Sequence, residues 1–254
     1  MRSPASDNQI NVILVDIEGT TTPADFVYET LFPYASANID SFLREHSVDQ
    51  EIVSLIEQLH IQYNYDKRDE KLQLLLPPWI EDNDEMQLRS AVAYFQWLII
   101  KDIKHTALKS LEGKIWEEGY NMGEIRGIVY RDVPPAFKRW TRQKRLICIY
   151  SSGSVLAQQL LFRTVAYGDL TAYISTFFDT GVGAKTQSES YRKIAESLAC
   201  SPHNVLFISD TIKEIKAAQE ARMRTILCNR DLKASQLPET NIVNIGSFDE
   251  VFPC

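Results

Sequence analysis

Short apolar runs recur along this chain, and stretches with helical spacing of apolar positions separate most of them. Residues 12–15 read Val-Ile-Leu-Val, a continuous apolar run that is typical of a strand buried on both faces of a parallel sheet. Similar runs predict further strands, and the full predicted set is 11–15, 146–150, 177–179, 205–210, 224–228 and 241–243. Strands that alternate with helices predict an α/β fold, with a mostly parallel sheet and helices on both faces.

A long segment between the first two predicted strands has a different character. From about residue 22 to residue 123, apolar residues recur every three or four positions, which predicts an almost entirely helical region. We therefore predict two domains. Residues 10–21 and 124–254 form an α/β core, and residues 22–123 form an inserted all-helical cap that closes over a site and excludes bulk water.

Polar residues follow several predicted strands or lie in the loops between them. They are Asp16 with Glu18, Ser152 with Gly153, Lys185, and Asp210 with Glu214 one helical turn later. Each has a simpler explanation when taken alone, such as a helix cap or a surface lysine. Because the carboxyl ends of parallel strands meet at one edge of a sheet, where α/β proteins bind ligands, we expect these residues to form one site.

This combination of residue types suits phosphoryl transfer. Asp16 can attack phosphorus and form an aspartyl-phosphate. Ser152 and the backbone N–H of Gly153, at the start of a predicted helix, can bind phosphate oxygens. Lys185 can neutralise the charge on the transferring group, and Glu18 can serve first as a general acid and then as the base for the hydrolytic water.

The same edge of the sheet is a candidate metal site. We predict that Asp16, Glu18 and Asp210 bind Mg²⁺, with one ion per subunit. Mg²⁺ prefers oxygen ligands and keeps several waters, so it needs few carboxylates. A bound Mg²⁺ screens the repulsion between a carboxylate nucleophile and an anionic phosphate and aligns the attack.

Composition narrows the classes of partner. The chain has 254 residues and a net charge of -7 without a dominant basic block, which argues against nucleic acid as a partner. Its four cysteines form no CxxC pair, and no signal peptide or membrane-spanning run is evident. We expect no membrane partner and a cytoplasmic protein, with nuclear entry left open. Because no extended heptad run is present, we expect a monomer.

The order of these motifs resembles that of the haloacid dehalogenase-like (HAD) phosphohydrolases, in which a cap follows the first motif. Most members have a second Asp where this chain has Glu18. The run Asp-Ile-Glu-Gly-Thr-Thr-Thr-Pro at residues 16–23 is similar to that of acireductone synthases, the enolase-phosphatases of methionine salvage. Further blocks similar to that family are Thr-Ala-Leu-Lys at 106–109, Gly-Lys-Ile-Trp at 113–116, Asp-Val-Pro-Pro-Ala at 132–136, Tyr-Ser-Ser-Gly-Ser at 150–154 and Ser-Glu-Ser-Tyr-Arg-Lys-Ile-Ala at 188–195.

The resemblance covers residues 11–228, and one departure stands at its end. Members often carry a Val-Arg-Pro-Gly-Asn-like run after the last core strand, whereas residues 228–232 here read Cys-Asn-Arg-Asp-Leu. This difference is confined to the local loop and leaves the predicted catalytic set intact.

The resemblance implies a Rossmann-like, HAD-type sheet with a helical cap and a specific reaction. The implied substrate is the small phosphorylated diketone 2,3-diketo-5-methylthiopentyl 1-phosphate. Enolisation and then Mg²⁺-dependent dephosphorylation yield 1,2-dihydroxy-3-keto-5-methylthiopentene (acireductone) and phosphate. The sequence does not identify the residue that moves the enolisation proton, for which Glu18 and a cap residue are the candidates. It also does not identify the cap residues that recognise the methylthio end.

Three other interpretations differ from this one in testable ways. A HAD-type phosphatase could act on another small phosphorylated metabolite, a choice that depends on cap residues. A dehalogenase would use Asp16 on a carbon centre, with less need for Mg²⁺. A non-catalytic scaffold is disfavoured because Asp16, Lys185 and Asp210 are all present.

Overall fold

The computed structural model describes residues 9–103, 105–230 and 242–253. The chain divides into two compact units, one formed by Met1–Phe26 with Arg126–Cys254 and the other by Val27–Ile125. The helical insert predicted from the sequence runs from residue 22 to residue 123, and its role as a cap stays a prediction. Within the described residues, no helix is long and apolar enough to cross a bilayer.

The first unit contains a six-stranded sheet in which every pairing is parallel. Its strands are β1 (Val12–Val15), β2 (Leu146–Tyr150), β3 (Ile174–Phe178), β4 (Val205–Ser209), β5 (Arg224–Cys228) and β6 (Asn244–Ile245). Their order across the sheet is β3-β2-β1-β4-β5-β6. The strand order reverses between β1 and β4, and such switch points are where open α/β sheets bind ligands. The predicted α/β fold class is confirmed.

The two edge strands differ from their predictions. β3 starts at Ile174, three residues before the predicted start, because it includes Ser175 and Thr176 and so is not a continuous apolar run. β6 begins at Asn244, after the predicted residues 241–243. Of those three residues, Asn241 lies outside the described part of the chain, and the other two are not in a strand.

The described residues form ten α-helices, several of them short. In chain order they are α1 (Ala24–Phe26), α2 (Phe32–Glu45), α3 (Gln50–Asp66), α4 (Glu70–Gln73), α5 (Asp84–Ile100), α6 (Thr106–Met122), α7 (Val133–Arg142), α8 (Val155–Arg163), α9 (Ser188–Ser197) and α10 (Ile212–Glu220). A π-helical segment, Val27–Leu31, precedes α2, and short 3₁₀ turns occur at Thr171–Tyr173, Pro202–Asn204 and Phe248–Glu250.

Both faces of the central strands are covered. On one face, Leu14, Cys148 and Phe207 belong to a buried cluster that also contains Tyr191 of α9 and Ile215 of α10. The alternate residues of the same strands point to the opposite face and are buried as well. Burial of one such large apolar side chain contributes about 1.5–3 kcal/mol to stability. The packed sheet is therefore a firm support for residues at its carboxyl edge.

The second unit is a bundle of helices with its own interior. Helix α2 packs against α5 and α6, and these two also pack against α3. Asp49 and Asn83 cap α3 and α5 by accepting hydrogen bonds from backbone N–H groups. The Trp116 indole donates to the Leu31 carbonyl at 2.8 Å, so one block that resembles acireductone synthases, residues 113–116, has a packing role inside this unit.

Candidate active site

Asp16 follows β1 directly and lies at the centre of the carboxyl edge of the sheet. Its backbone N–H donates to the Ile208 carbonyl of β4 at 3.0 Å, and the residue is only 4% exposed. Thr20 Oγ1 donates to Asp16 Oδ2 at 3.3 Å, and Thr21 Oγ1 donates to the Asp16 carbonyl at 3.2 Å. The turn that follows the strand thus fixes the carboxylate in one orientation.

Gly19 allows that turn to pass directly beside Asp210. Its φ of 70° is left-handed, a conformation that glycine adopts without a Cβ penalty. A Cβ at this position would lie 2.1 Å from Asp210 Oδ2. The Asp210 carboxylate therefore contacts the loop that carries Asp16. Burial and the charge of Asp16 both raise the pKa of Asp210.

Lys185 places its ammonium group between two carboxylates. Its Nζ donates to Asp16 Oδ1, and it lies 2.8 Å from Glu214 Oε2 of α10. Burial alone would lower the pKa of Lys185, but attraction to the two carboxylates outweighs burial and raises that pKa. Burial and repulsion by Asp16 raise the pKa of Glu214 to about 6. The lysine therefore stays protonated, with its charge directed at Asp16.

Glu214 has a second fixed contact, which the sequence did not reveal. Ser209 Oγ, at the end of β4, donates to Glu214 Oε2 at 2.8 Å. The same oxygen is the one that faces Lys185. The Ser209 hydroxyl therefore orients the carboxylate that anchors the lysine.

Ser152 and Gly153 lie in the half-buried turn between β2 and α8. The N–H of Gly153 donates to Ser151 Oγ at 3.2 Å, and its carbonyl accepts from Gln158 Nε2 at 2.8 Å. The cap of α8 is Ser154, whose Oγ accepts from the Ala157 N–H. Phosphate binding by Ser152 and Gly153 stays a prediction, and so does catalysis by Glu18, which is half-buried and forms a backbone bridge with Thr22.

Comparison with known proteins assigns the chain to a family. A family model described as haloacid dehalogenase-like hydrolase matches residues 10–222. A protein named enolase-phosphatase E1 from Synechococcus elongatus is 44% identical over 242 residues, which cover 95% of this chain and 98% of the relative. The chain belongs to the enolase-phosphatase E1 family of haloacid dehalogenase-like hydrolases. The resemblance inferred from the sequence is confirmed.

A second relative named enolase-phosphatase E1 and one solved structure are similar over most of the chain. A protein of that name from Drosophila persimilis is 41% identical over 228 residues, with 89% of this chain and 88% of the relative covered. The crystal structure of the UTR4 protein of Saccharomyces cerevisiae superposes with a TM-score of 0.73 at 32% identity, and it covers 94% of this chain and 99% of its own. The similarity therefore extends over nearly the whole chain.

The carboxylates of this enolase-phosphatase family member fit a hard divalent cation. HAD hydrolases and enolase-phosphatases generally depend on Mg²⁺. Within the described ranges, no three His, Cys, Asp or Glu side chains are arranged to hold a metal. Mg²⁺ needs only one or two carboxylates, because waters and substrate oxygens complete its octahedron. The pair Asp16 and Asp210, which repel each other across the Gly19 turn, fits that requirement; Glu18 as a third ligand stays a prediction.

Arg230 holds the turn that follows Asp16. Its Nε and Nη2 donate to the Thr20 carbonyl at 2.9 and 2.6 Å, and its Nη1 donates to Asp132 Oδ2 at 2.6 Å. The guanidinium carbon also lies 4.3 Å from the Tyr130 ring centroid and 4.6 Å from that of Phe248. In the sequence analysis, Arg230 belongs to the run 228–232 that differs from the family, and Asp132 belongs to the block 132–136 that is similar to it. Nothing local links them, because they are far apart in sequence.

Asp132 is the fixed partner of this arginine. Its Oδ2 also accepts from the Phe248 N–H at 2.6 Å and from Ser247 Oγ at 3.0 Å. Burial alone would raise the pKa of Asp132, but the hydrogen bonds from Arg230 and Phe248 outweigh burial and lower that pKa. The Asp132–Arg230 pair is 7–8% exposed, so loss of one partner leaves a buried charge unpaired.

We expect Asp132→Asn to lower the free energy of unfolding by about 3 kcal/mol at pH 7, the lower end for a broken buried ion pair. The lowered pKa means that the carboxylate contributes stability above its unfolded pKa of about 3.9, and that this contribution is lost as pH falls through the folded pKa. The difference from wild type should therefore shrink below about pH 4. Urea unfolding at pH 7 and at lower pH measures both effects.

Asp249→Asn is the matched control for Asp132→Asn. Asp249 lies in the same 3₁₀ turn as Phe248, and its side chain is 68% exposed. Exposed substitutions of this kind change stability by about 0.5 kcal/mol or less. Equal effects of the two substitutions at pH 7 would show that the Asp132–Arg230 pair does not stabilise the fold.

Proposed function

We propose that this chain is the enolase-phosphatase of methionine salvage, and that it converts 2,3-diketo-5-methylthiopentyl 1-phosphate to acireductone and phosphate. The observation that carries the proposal is the buried Asp16 carboxylate, which accepts a hydrogen bond from Lys185 and whose charge raises the pKa of Asp210. Relatives named enolase-phosphatase E1 at 40–44% identity support the choice of reaction. The chain is an enzyme of the hydrolase class.

Asp16 is the proposed nucleophile. One of its carboxylate oxygens attacks phosphorus in line, and the bond between phosphorus and the C1 oxygen of the substrate breaks. In the proposed roles, Glu18 protonates the departing oxygen and then removes a proton from the hydrolytic water. That water attacks the aspartyl-phosphate, the bond between phosphorus and Asp16 breaks, and the free carboxylate returns. Hydrogen bonds from Thr20 and Lys185 orient Asp16 for both displacements.

Lys185 has the role of charge stabilisation. Its ammonium already contacts the oxygen of Asp16 that faces it, so a phosphoryl group on Asp16 comes within its reach. A fixed donor directed at developing charge typically contributes about 2.7–4 kcal/mol to a reaction barrier. Glu214 Oε2 lies 2.8 Å from the same ammonium and holds it in place.

Asp16 and Asp210 are the proposed ligands of one Mg²⁺ per subunit, with Glu18 as a further candidate. When bound, the ion offsets the charge of the carboxylates and of the substrate phosphate and thereby permits their approach. Repulsion between Asp16 and Asp210 in the structure supports this proposal, because a cation at this position relieves it.

Enolisation requires a base for a C1 proton of the substrate and an electrophile for the adjacent carbonyl oxygen. Glu18, on the turn that follows Asp16, is our candidate for the base. This role of Glu18 in enolisation is independent of the role of Asp16 as nucleophile, because proton removal at carbon needs no phosphoryl acceptor. The two half-reactions should therefore respond differently to substitutions of these residues.

The proposed function is tested by two simultaneous measurements on the purified 254-residue chain. With Mg²⁺ and the diketone phosphate, absorbance should report the enol intermediate while phosphate accumulates, and a chelator should stop phosphate release. Sugar phosphates and a haloacid serve as comparison substrates under the same conditions. Turnover of a sugar phosphate without turnover of the diketone would contradict the salvage assignment, and turnover of the haloacid without Mg²⁺ would favour a dehalogenase.

The expected setting of the enzyme is part of the proposal. We propose a monomer that acts in the cytoplasm, with nuclear entry left open, and that binds neither nucleic acid nor membranes. Its net charge of -7 argues against binding to nucleic acid, whose phosphates are also negatively charged.

A further inference from the structure

Three consecutive backbone carbonyls in the loop that carries Lys185 each accept a hydrogen bond from a side-chain hydroxyl. Tyr150 OH donates to the Gly183 carbonyl at 2.8 Å, Ser190 Oγ to the Ala184 carbonyl at 2.8 Å and Tyr191 OH to the Lys185 carbonyl at 2.7 Å. All three donor residues are at most 1% exposed. We call Tyr150, Ser190 and Tyr191 the hydroxyl cradle.

The loop passes so close to the cradle that its backbone has little freedom. Gly183 has a φ of 137°, and a Cβ there would lie 2.3 Å from Ser190 Oγ. The Ala184 carbonyl also accepts from the Gln187 N–H at 3.0 Å. Each of these contacts restricts backbone rotation within two residues of Lys185.

The cradle itself is rigid. The rings of Tyr150 and Tyr191 meet edge to face with centroids 5.6 Å apart, and Tyr191 meets Phe207 of β4 in the same way at 5.0 Å. Aromatic pairs of this geometry are favourable beyond the area that they bury. The tyrosine hydroxyls therefore have well-defined positions relative to β2 and β4, the strands that flank Asp16.

We propose that the hydroxyl cradle positions the Lys185 ammonium for phosphoryl transfer. Tyr150 is the last residue of β2, next to the turn with Ser152, whereas Ser190 and Tyr191 belong to the first turns of α9. The cradle joins the loop of Lys185 to two elements at once, and its residues act through the lysine without touching the reacting atoms. The inference rests on the proposed function, and it gives a role to residues 188–195, a block that resembles acireductone synthases.

Tyr191→Phe isolates the effect of one hydroxyl, because it keeps the ring and its contacts. A misplacement of about 1 Å can reduce catalysis by about 10²-fold, so a partly released loop should lower kcat by about 10-fold with little change in KM. In a Lys185→Met background, the same substitution should change single-turnover phosphate release by less than about 2-fold, because the group that it positions is gone. A purely structural role for the hydroxyl predicts equal losses in both backgrounds.

Tyr94→Phe is the matched control for a lost buried tyrosine hydroxyl. Tyr94 OH donates to Asp66 at 2.7 Å within the helical unit, and the residue is fully buried. We expect this control to reduce thermal stability and leave kcat unchanged. If Tyr191→Phe does not fold, Tyr150→Phe and Ser190→Ala test the same cradle in the same two backgrounds.

The outcomes separate this inference from the proposed function. A large loss of kcat that disappears in the Lys185→Met background supports the cradle. Equal losses in both backgrounds, or no loss in the wild-type background, would overturn it while the wild-type enzyme still converts the diketone phosphate. Absence of turnover by the wild-type enzyme would instead overturn the proposed function and the cradle with it.

Discussion

Asp16→Asn is expected to lower the rate of phosphate release by about 10⁴-fold or more, the usual scale for loss of a catalytic nucleophile. The amide has nearly the shape of the carboxylate, so Thr20 and Lys185 retain a group to contact. An amide does not form the aspartyl-phosphate, however. Some enolisation should survive, because that step does not need a phosphoryl acceptor. The enol absorbance should therefore rise without release of phosphate.

Enol absorbance and phosphate release are measured on the same sample of Asp16→Asn. Enolisation that survives shows that the variant is folded, so a loss of phosphate release then reports lost chemistry. Asp249→Asn, an exposed carboxylate on the 3₁₀ turn, serves as the control and should behave as wild type in both signals. If Asp16→Asn releases phosphate and enolises at wild-type rates, Asp16 is not the nucleophile.

Lys185→Met should lower kcat for phosphate release by about 10²–10³-fold, the typical loss of one fixed charge-stabilising group. Met keeps the length of the side chain, but it leaves Asp16 and Glu214 without the cation between them. Their mutual repulsion should raise the pKa of Glu214 further above the value of about 6 that it has beside Asp16. Steady-state phosphate release measures the loss.

Two companion variants sharpen this result. Lys216→Met, at an exposed position on α10, removes a lysine two residues after Glu214 and should leave kcat unchanged. Lys185→Arg should rescue only part of the activity, because a planar guanidinium does not fit a site built for a point charge. A Lys185→Met variant with a kcat within about 3-fold of wild type would show that the fixed charge contributes little to the barrier.

The strands at the centre of the sheet were the most predictable part of the fold. The bounds of β2 and β5 agree with the predicted bounds, because β2 is apolar throughout and β5 ends in the buried apolar run 226–228. The edge strands were harder to predict. β3 contains Ser175 and Thr176, and β6 contains only Asn244 and Ile245, so neither forms a long apolar run.

The candidate site was predictable wherever a residue follows a central strand. Asp16 and Asp210 come together because β1 pairs with β4 in parallel, with Val15 opposite Ile208. Contacts between distant segments were not predictable. The Arg230–Thr20 hydrogen bonds and the link between Lys185 and Glu214 join residues with no shared local pattern. They depend on how helices and loops pack on the sheet, which a strand pattern does not specify.

The most direct test of covalent catalysis by Asp16 is to locate the phosphoryl group on the protein during turnover. The wild-type enzyme is mixed with Mg²⁺ and diketone substrate labelled at phosphorus, quenched in acid and digested for peptide mapping. We predict a hydroxylamine-sensitive label on Asp16, and none in the Asp16→Asn variant. Label on another residue, or a wild-type enzyme that turns over while it carries no more label than Asp16→Asn, would contradict covalent catalysis by Asp16.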